Sequence, residues 1–408
     1  MKKTVGLPIL FVMLSAFGFA QDLGQVKNDI DAERFDTAKK TLKTLIKSNP
    51  DNGKFYFYLG DVYLAQKESD SALAVFNKGL LAKDKGFLSN IGLAQLDLDA
   101  KKNADAVAKF DKASKEIKKK DVDETLLIAK AYIKSENPNY KAAIDLINKV
   151  LTTNMSNASA HLLLGDAQFA SGNSNDAYAS YRNAYDYDNS VILAKMNLAK
   201  ITKNAKAFNE AVKSFDEILK INSNFGPVYR ELAETYYFWA NSEQNKYQEY
   251  ISKALGFYEK YMSLTDYSLD SRMRHADFLI LAKDYKALEI EAREMKKLDN
   301  INPRILRYLG YASYENGNFA ESSKALTEFF AKVEPKRIIA RDYLYLGLTK
   351  MAEAKKADGT YDDIIFNEGV VELNKAVEKD PVIASELNPL GKKMFNDKLY
   401  KNATKSEI

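Results

Sequence analysis

Apolar residues recur every three or four positions along most of the chain, the spacing that turns one side of an α-helix toward a core. Three stretches share one pattern of Leu-Gly, a small residue twelve positions on, and a bulky residue four later. They read YLGDVYLAQKESDSALAVF, LLGDAQFASGNSNDAYASY and YLGYASYENGNFAESSKAL, at residues 58–76, 163–181 and 308–326. Few segments alternate apolar and polar residues, so the pattern predicts helix pairs and no sheet.

Two series of small residues extend this pattern, with most steps in the second series being 34 residues. The first is Gly60, Gly92, Ala129, Gly165, Ala199, Ala233, Ala276, Gly310 and Gly347, and the second is Ala38, Ala72, Ala106, Ala143, Ala177, Ala211, Ala254, Leu288, Ser322 and Gly369. Two helices approach closely only where side chains are small, so each pair is predicted to form an antiparallel hairpin. The bulky residue one turn later then fills the gap toward the next hairpin.

This pattern resembles the tetratricopeptide repeat family, whose motif is Trp-x2-Leu-Gly-x2-Tyr, then Ala-x3-Phe, then Pro. In one copy the motif is matched by Tyr56, Leu59, Gly60, Tyr63, Ala72 and Phe76. The resemblance covers about residues 22–381, although the copy near 267–301 is degenerate. It implies an all-α, right-handed superhelical solenoid of about ten antiparallel helix pairs. Residues 382–408 are expected to supply C-terminal capping helices and a tail.

The chain begins MKKTVGLPILFVMLSAFGFAQD, with two lysines, a short apolar run and small residues before Gln21. This arrangement is typical of a secretory signal peptide over residues 1–20, which would leave a repeat array from 21 to 381. No later stretch is apolar enough to span a membrane, and the absence of cysteine excludes a thiol-linked lipid anchor and disulfides. We therefore expect a periplasmic protein, with release from the cell as the alternative.

Charge and motif content argue against nucleic-acid binding and against catalysis. Without the two signal lysines, 58 basic residues face 56 acidic ones, a net charge near +2 that lacks the basic excess of nucleic-acid binders. The two histidines, His161 and His275, occupy packing positions of different repeats and form no metal-binding pair. Glycine-rich phosphate loops are also absent. The expectation is a protein that is not an enzyme and has no cofactor or metal.

A candidate binding strip is predicted on the first helices of the repeats between residues 225 and 352. Positions three before, one after and four after the small residue share one side of a helix, bordered by positions two and six before it. The strip comprises Arg230, Tyr237, Arg274, Arg304, Arg307, Tyr308, Tyr311, Tyr314, Arg341 and Tyr345. Arginine and tyrosine dominate protein interfaces, and this set suits an extended segment bearing carboxylates or aromatic rings. Packing within the repeat cores is the alternative for some of these rings. For binding, Arg304, Arg307, Tyr311 and Arg341 must be solvent-exposed.

The resemblance implies protein binding, so the predicted function is a scaffold or adaptor of a bacterial cell-envelope complex. A protein or peptide partner would lie along the concave groove of the array. The alternative is glycan or nutrient capture at the outer membrane, which the lack of cysteine and the single tryptophan, Trp239, make less favoured. Two copies are stretched, near residues 240–252 and 350–366. The sequence leaves open whether these are longer helices and loops or docking surfaces.

Overall fold

The computed structural model describes residues 23–383, and within this range it contains 20 α-helices and no β-strand. The helices are α1 (23–31), α2 (Phe35–Ser48), α3 (Gly53–Ala65), α4 (Ser69–Gly79), α5 (Ser89–Asp99), α6 (Asn103–Glu116), α7 (Val122–Lys134), α8 (Tyr140–Thr153), α9 (Ala158–Ala170), α10 (Ser174–Tyr187), α11 (Ile192–Asn204), α12 (Phe208–Ile221), α13 (Gly226–Ser242), α14 (Tyr247–Leu264), α15 (Leu269–Ala282), α16 (Tyr285–Leu298), α17 (Pro303–Glu315), α18 (Phe319–Lys332), α19 (Ala340–Glu353) and α20 (Asp363–Lys379). The predicted all-α architecture of paired helices is confirmed. The predicted signal peptide and almost all of the predicted capping segment lie outside the described residues.

Each odd-numbered helix pairs with the even-numbered helix that follows it. The chain divides into two compact units between Asp266 and Tyr267. In the described residues the first unit holds the seven hairpins α1–α2 to α13–α14, and the second holds the three hairpins α15–α16 to α19–α20. None of the helices within residues 23–383 is long and apolar enough to cross a bilayer.

The small residues allow the helices to approach as the sequence pattern predicts. Every member of the two series is buried. The fully buried Phe76 shows the role of the bulky residue, because a Cβ on either Gly60 or Gly92 would collide with its ring. Phe76 therefore fills the space against α3 in its own hairpin and against α5 in the next one, which confirms the predicted function of this position.

In seven of the ten described hairpins the short turn contains a residue with left-handed backbone conformation. Their left-handed residues are Glu33, Lys67, Lys101, Lys206 and Lys283, with φ between 57° and 62°, and glycines at 172 and 317. Glycine adopts this conformation without strain, whereas a residue with a Cβ pays about 1–2 kcal/mol. The four lysines are exposed, but Glu33 is half-buried, which sets its turn apart from the others.

The two stretched copies have different structural origins. In the first, α13 and α14 are lengthened to 17 and 18 residues, and their ends carry a cluster of aromatic rings around Trp239. In the second, an irregular loop joins α19 to α20, with a bridge between Lys355 and Tyr361 and a left-handed turn at Gly359. Longer helices account for the first insertion and a longer loop for the second.

Candidate partner-binding groove

Five members of the predicted strip lie on α17, in the second unit, and two of those that were expected to be exposed are not available to a partner. Tyr311 is only 3% exposed, and its hydroxyl donates to Asp342 Oδ1 at 2.7 Å. Arg307 donates from Nε and Nη2 to the two carboxylate oxygens of Asp342, at 2.7 and 2.8 Å. The side chain of Asp342 is fully buried and that of Arg307 is 17% exposed. The expectation that Arg307 and Tyr311 are exposed is therefore wrong, because a carboxylate on the next first helix, α19, binds both.

Arg304 and Arg341 are exposed, as expected. Arg304 nevertheless donates from Nη2 to both oxygens of Asp277 on α15, at 2.8 and 2.7 Å. Tyr308 is buried and donates its hydroxyl to the same carboxylate at 2.8 Å. Burial, reinforced by the charge of Asp277, raises the pKa of Tyr308. Arg304 and Arg307 are thus both paired with carboxylates of neighbouring first helices, so their charges are already neutralised within the chain.

The remaining strip residues are divided between packing and surface positions. Tyr345 is buried, stacks on Tyr311 with ring centroids 4.1 Å apart, and donates to Glu315 Oε1 at 2.7 Å. Tyr314 and Tyr237 are half-buried, while Arg274 is exposed. The core role that the sequence left as an alternative holds for the tyrosines at 308, 311 and 345.

A cavity of about 250 Å³ lies in the first unit, on the side lined by α1, α3, α7 and α9, and we call this surface the first-unit groove. Its apolar wall comes from Ile30, Leu88, Leu126, Leu127, Leu162 and Leu163. The same wall carries charged side chains, among them Lys27 and Asp31 from α1. Charged side chains make up about half of the lining, so the cleft presents apolar and charged surface side by side.

Two ion pairs join α3 to α7 across the first-unit groove. Lys130 on α7 donates to Asp61 Oδ2 on α3 at 2.9 Å, and Lys54 Nζ lies 3.5 Å from Glu124 Oε1. The charge of Asp61 raises the pKa of Lys130. Asp31 forms no ion pair with another described residue, and partial desolvation by the walls of the groove raises its pKa in spite of the nearby ammonium groups of Lys130 and Lys27. Its carboxylate remains accessible to water inside the groove.

The alternation of charge continues along the first helices beyond the cavity. Asp166 on α9 accepts hydrogen bonds from the Tyr181 hydroxyl at 2.9 Å and from Asn197 Nδ2 at 3.1 Å, and burial raises its pKa. On α11, the buried Lys203 donates to Glu231 at 2.7 Å and to Glu234 at 2.9 Å. Sequence reasoning missed this row, although its signal lay in the residues that directly follow the small ones. They are Asp61, Lys130, Asp166, Lys200 and Glu234.

The first hairpin of this unit also contacts the seventh. Arg230 Nη1 on α13 donates to the two carboxylate oxygens of Glu33 at 2.7 and 2.6 Å, and the Tyr261 hydroxyl donates to Glu33 Oε2 at 2.7 Å. The attraction of Glu33 raises the pKa of Arg230, although burial opposes it. This contact explains why Arg230, a member of the predicted strip, is engaged within the chain.

The model of the tetratricopeptide repeat family matches residues 23–86. This segment contains the hairpins α1–α2 and α3–α4, and the same pairing recurs in the eight hairpins that follow. Residues 23–86 therefore match the tetratricopeptide repeat family. No curated protein sequence matches it significantly.

Several solved repeat structures resemble the chain at low sequence identity. A human IFIT1 dimer with PPP-AAAA is 16% identical and covers 74% of this chain and 69% of its own, with a TM-score of 0.44. A tetratricopeptide repeat protein from Parabacteroides merdae is 15% identical over 65% of this chain and 97% of its own, with a TM-score of 0.39. The C-terminal part of such a protein from Cytophaga hutchinsonii is 16% identical over 60% and 97%, with a TM-score of 0.40. At these values the likenesses support no conclusion about function.

The histidines have the structural positions that the repeat pattern predicts. His161 is buried, stacks on Tyr187 with ring centroids 5.3 Å apart, and lies 2.9 Å from the Met155 carbonyl oxygen through Nε2. His275 is partly buried, with Nδ1 3.6 Å from Glu291 Oε2. Within residues 23–383, no group of three or more histidine or carboxylate side chains is arranged to hold a metal ion.

Proposed function

We propose that this protein is a non-catalytic scaffold that binds a segment of a partner protein in the first-unit groove. Tetratricopeptide repeats are generally protein–protein interaction scaffolds, which supports the general role. The observation that carries the specific site is the cavity between α1, α3, α7 and α9, with its leucine wall and its accessible charges. Further, we propose that the protein acts in the periplasm, as a component of a cell-envelope complex.

The chemistry of the groove favours an extended segment with a basic side chain beside apolar ones. Asp31 is accessible to water and has no cation bound to it in the described residues, so a lysine or arginine of the partner would supply the missing charge. Leu127, Leu162 and Leu163 offer apolar surface next to it. A lysine side chain suits both features because an aliphatic stem carries its ammonium group.

The environment of the single tryptophan argues against the glycan alternative. A sugar-binding platform needs an accessible ring face, but Trp239 packs against Tyr236 and Tyr250 with ring centroids 5.8 and 4.7 Å apart. Its indole N–H donates to Glu243 Oε1 at 2.6 Å. The ring is thus a packing element of the lengthened α13–α14 hairpin, and we retain a protein partner as the proposal.

The site is tested by capture from intact envelopes, with the mature protein as bait and mass spectrometry as readout. Asp31→Lys places a like charge against the expected basic side chain, so recovery of the specific partner should fall about tenfold or more. Asp145→Lys makes the same change on an exposed position of α8 and should recover the partner as the wild type does. Equal recovery with the two variants would exclude the first-unit groove as the binding site.

The location has its own test. We expect soluble protein from the periplasmic fraction to begin at Gln21 when sequenced from its N-terminus. Cytosolic protein that retains Met1 would contradict export and would remove the envelope from the proposal. That result would leave the proposed binding site itself in place, and the capture experiment would then use a cytosolic extract instead of envelopes.

A further inference from the structure

The contact between the first and seventh hairpins has the character of a reversible closure. We propose that the turn at residues 32–36, which we call the clasp, opens and recloses the first unit. When it is closed, α1 and α2 are joined to α13 and α14 through their turn. This inference does not rest on the proposed function or on the identity of a partner, because it concerns a motion of the chain itself.

The bonds of the clasp converge on two carboxylates. Glu33 accepts three hydrogen bonds, two from Arg230 Nη1 at 2.7 and 2.6 Å and one from the Tyr261 hydroxyl at 2.7 Å. The backbone N–H of Asp36 donates to Asp266 Oδ2 at 2.6 Å. These bonds join residues about two hundred positions apart in sequence. They therefore form only when the whole first unit is folded.

The closure is polar, which distinguishes it from the contacts between consecutive hairpins. Its apolar part is the small side chain of Ala32, which is 4% exposed and belongs to a cluster with Phe225 and Val228. Consecutive hairpins instead share whole rings, such as that of Phe76. The partly buried pair of Arg230 and Glu33, with one methyl group beside it, buries much less apolar surface than such a ring. The clasp is accordingly the contact of this unit that can break while the hairpins remain folded.

The turn does not need the clasp for its own conformation. Lys67 and Lys101 adopt the same left-handed backbone at φ 61° and 60° in the following hairpins, and both are exposed. Lysine is therefore compatible with this position. A lysine at position 33 would preserve the turn and place an ammonium group against the Arg230 guanidinium. The closing bonds can thus be removed without a change of the local fold.

Distance measurements between two spin labels on the mature, full-length protein test the clasp directly. The chain contains no cysteine, so Lys40→Cys on α2 and Ser263→Cys on α14 provide unique label sites, and both positions are exposed. The otherwise unchanged protein should give one short distance. Glu33→Lys should add a longer distance and raise the ratio of open to closed molecules at least about tenfold, as expected for the loss of charge-assisted bonds. The matched control, Lys101→Glu, reverses the charge at the equivalent turn of the third hairpin and should leave the distance unchanged.

If Glu33→Lys does not fold, a milder variant tests whether the clasp opens. Tyr261→Phe removes one donor of the clasp and should produce the same longer distance in a smaller fraction of molecules. An unchanged short distance in a folded Glu33→Lys protein, or in Tyr261→Phe where the first does not fold, would overturn the proposal. A long distance already dominant in the unmodified protein would also overturn it, because the closed state would then not be the stable one.

Discussion

Replacement of Gly165 by alanine tests the close approach of the helices against intrinsic helix propensity. Alanine is favoured over glycine by about 1 kcal/mol in a helix interior, so propensity alone predicts stabilisation. In α9, however, the new Cβ would lie 2.5 Å from both Cδ1 and Cε1 of Tyr181. Carbon atoms prefer separations of about 3.5–4.0 Å, so the ring would have to retreat by about 1 Å.

Tyr181 cannot retreat freely. It is 2% exposed, and its hydroxyl donates to Asp166 Oδ1 at 2.9 Å. Overpacking of a core costs about 1–3 kcal/mol, and a weakened hydrogen bond to a carboxylate adds about 1 kcal/mol. After subtraction of the gain in helix propensity, we expect Gly165→Ala to lower the free energy of unfolding by about 1–3 kcal/mol.

The matched control is Gly256→Ala in α14. An added Cβ there meets nothing within 4 Å, so this variant should be stabilised by about 1 kcal/mol. Both sites lie in the first unit, and urea unfolding followed by far-ultraviolet circular dichroism compares them in the same transition. In the Gly165→Ala background, Tyr181→Leu should cost at least about 1 kcal/mol less than it does alone. Stabilisation of similar size by both alanines would refute the argument.

The remaining predictions concern buried charges, and each is read from the free energy of unfolding. Lys203→Met should cost about 3 kcal/mol, because it leaves the buried Glu231 without its closest cation; a loss below 1 kcal/mol would contradict this. Burial alone would raise the pKa of Glu231, but neighbouring lysines outweigh it and lower the pKa. Its stabilising contribution is therefore complete above its unfolded pKa of about 4.3 and is lost as the pH falls through the lower folded value, so Glu231→Gln should lack this acid-induced decline. Arg307→Ala should lower the free energy of unfolding by about 2–4 kcal/mol because it leaves the buried carboxylate of Asp342 without its cation. Arg304→Ala removes a surface pair and should cost less than about 1 kcal/mol, so equal melting temperatures of the two variants would contradict this difference.

The helix pairs could be predicted from the sequence because close helix contact needs small residues at fixed intervals. The spacing of Gly165 and Ala177 predicts their hairpin directly. The position of Tyr181 then predicts which side chain fills the space beside Gly165. These relations are local, within about sixteen residues, and depend only on the geometry of a helix. In a degenerate copy only the burial of the position is kept, as at Leu288, which is buried although it is not small.

The accessible surface could not be predicted in the same way. The helical wheel placed Arg307 on the inner side of α17 but did not contain Asp342, which lies one repeat later at the start of α19 and binds it. Whether a charge is free depends on the side chains of the neighbouring helix. The pair of Glu33 and Arg230, separated by 197 positions, depends in addition on how the small rotations between hairpins accumulate over seven repeats. No single repeat carries that information.

The double contact of Phe76 has a consequence for how the array unfolds. In a one-dimensional description of repeat proteins, stability is divided into a term for each repeat and a term for each interface between neighbours. The ring of Phe76 belongs to both terms, since it fills the space at Gly60 within its hairpin and at Gly92 in the next. When a hairpin loses its internal packing, it therefore loses its contacts with the next hairpin at the same time. Unfolding should spread across adjacent hairpins as a block, and the smallest cooperative unit of this array is larger than one repeat.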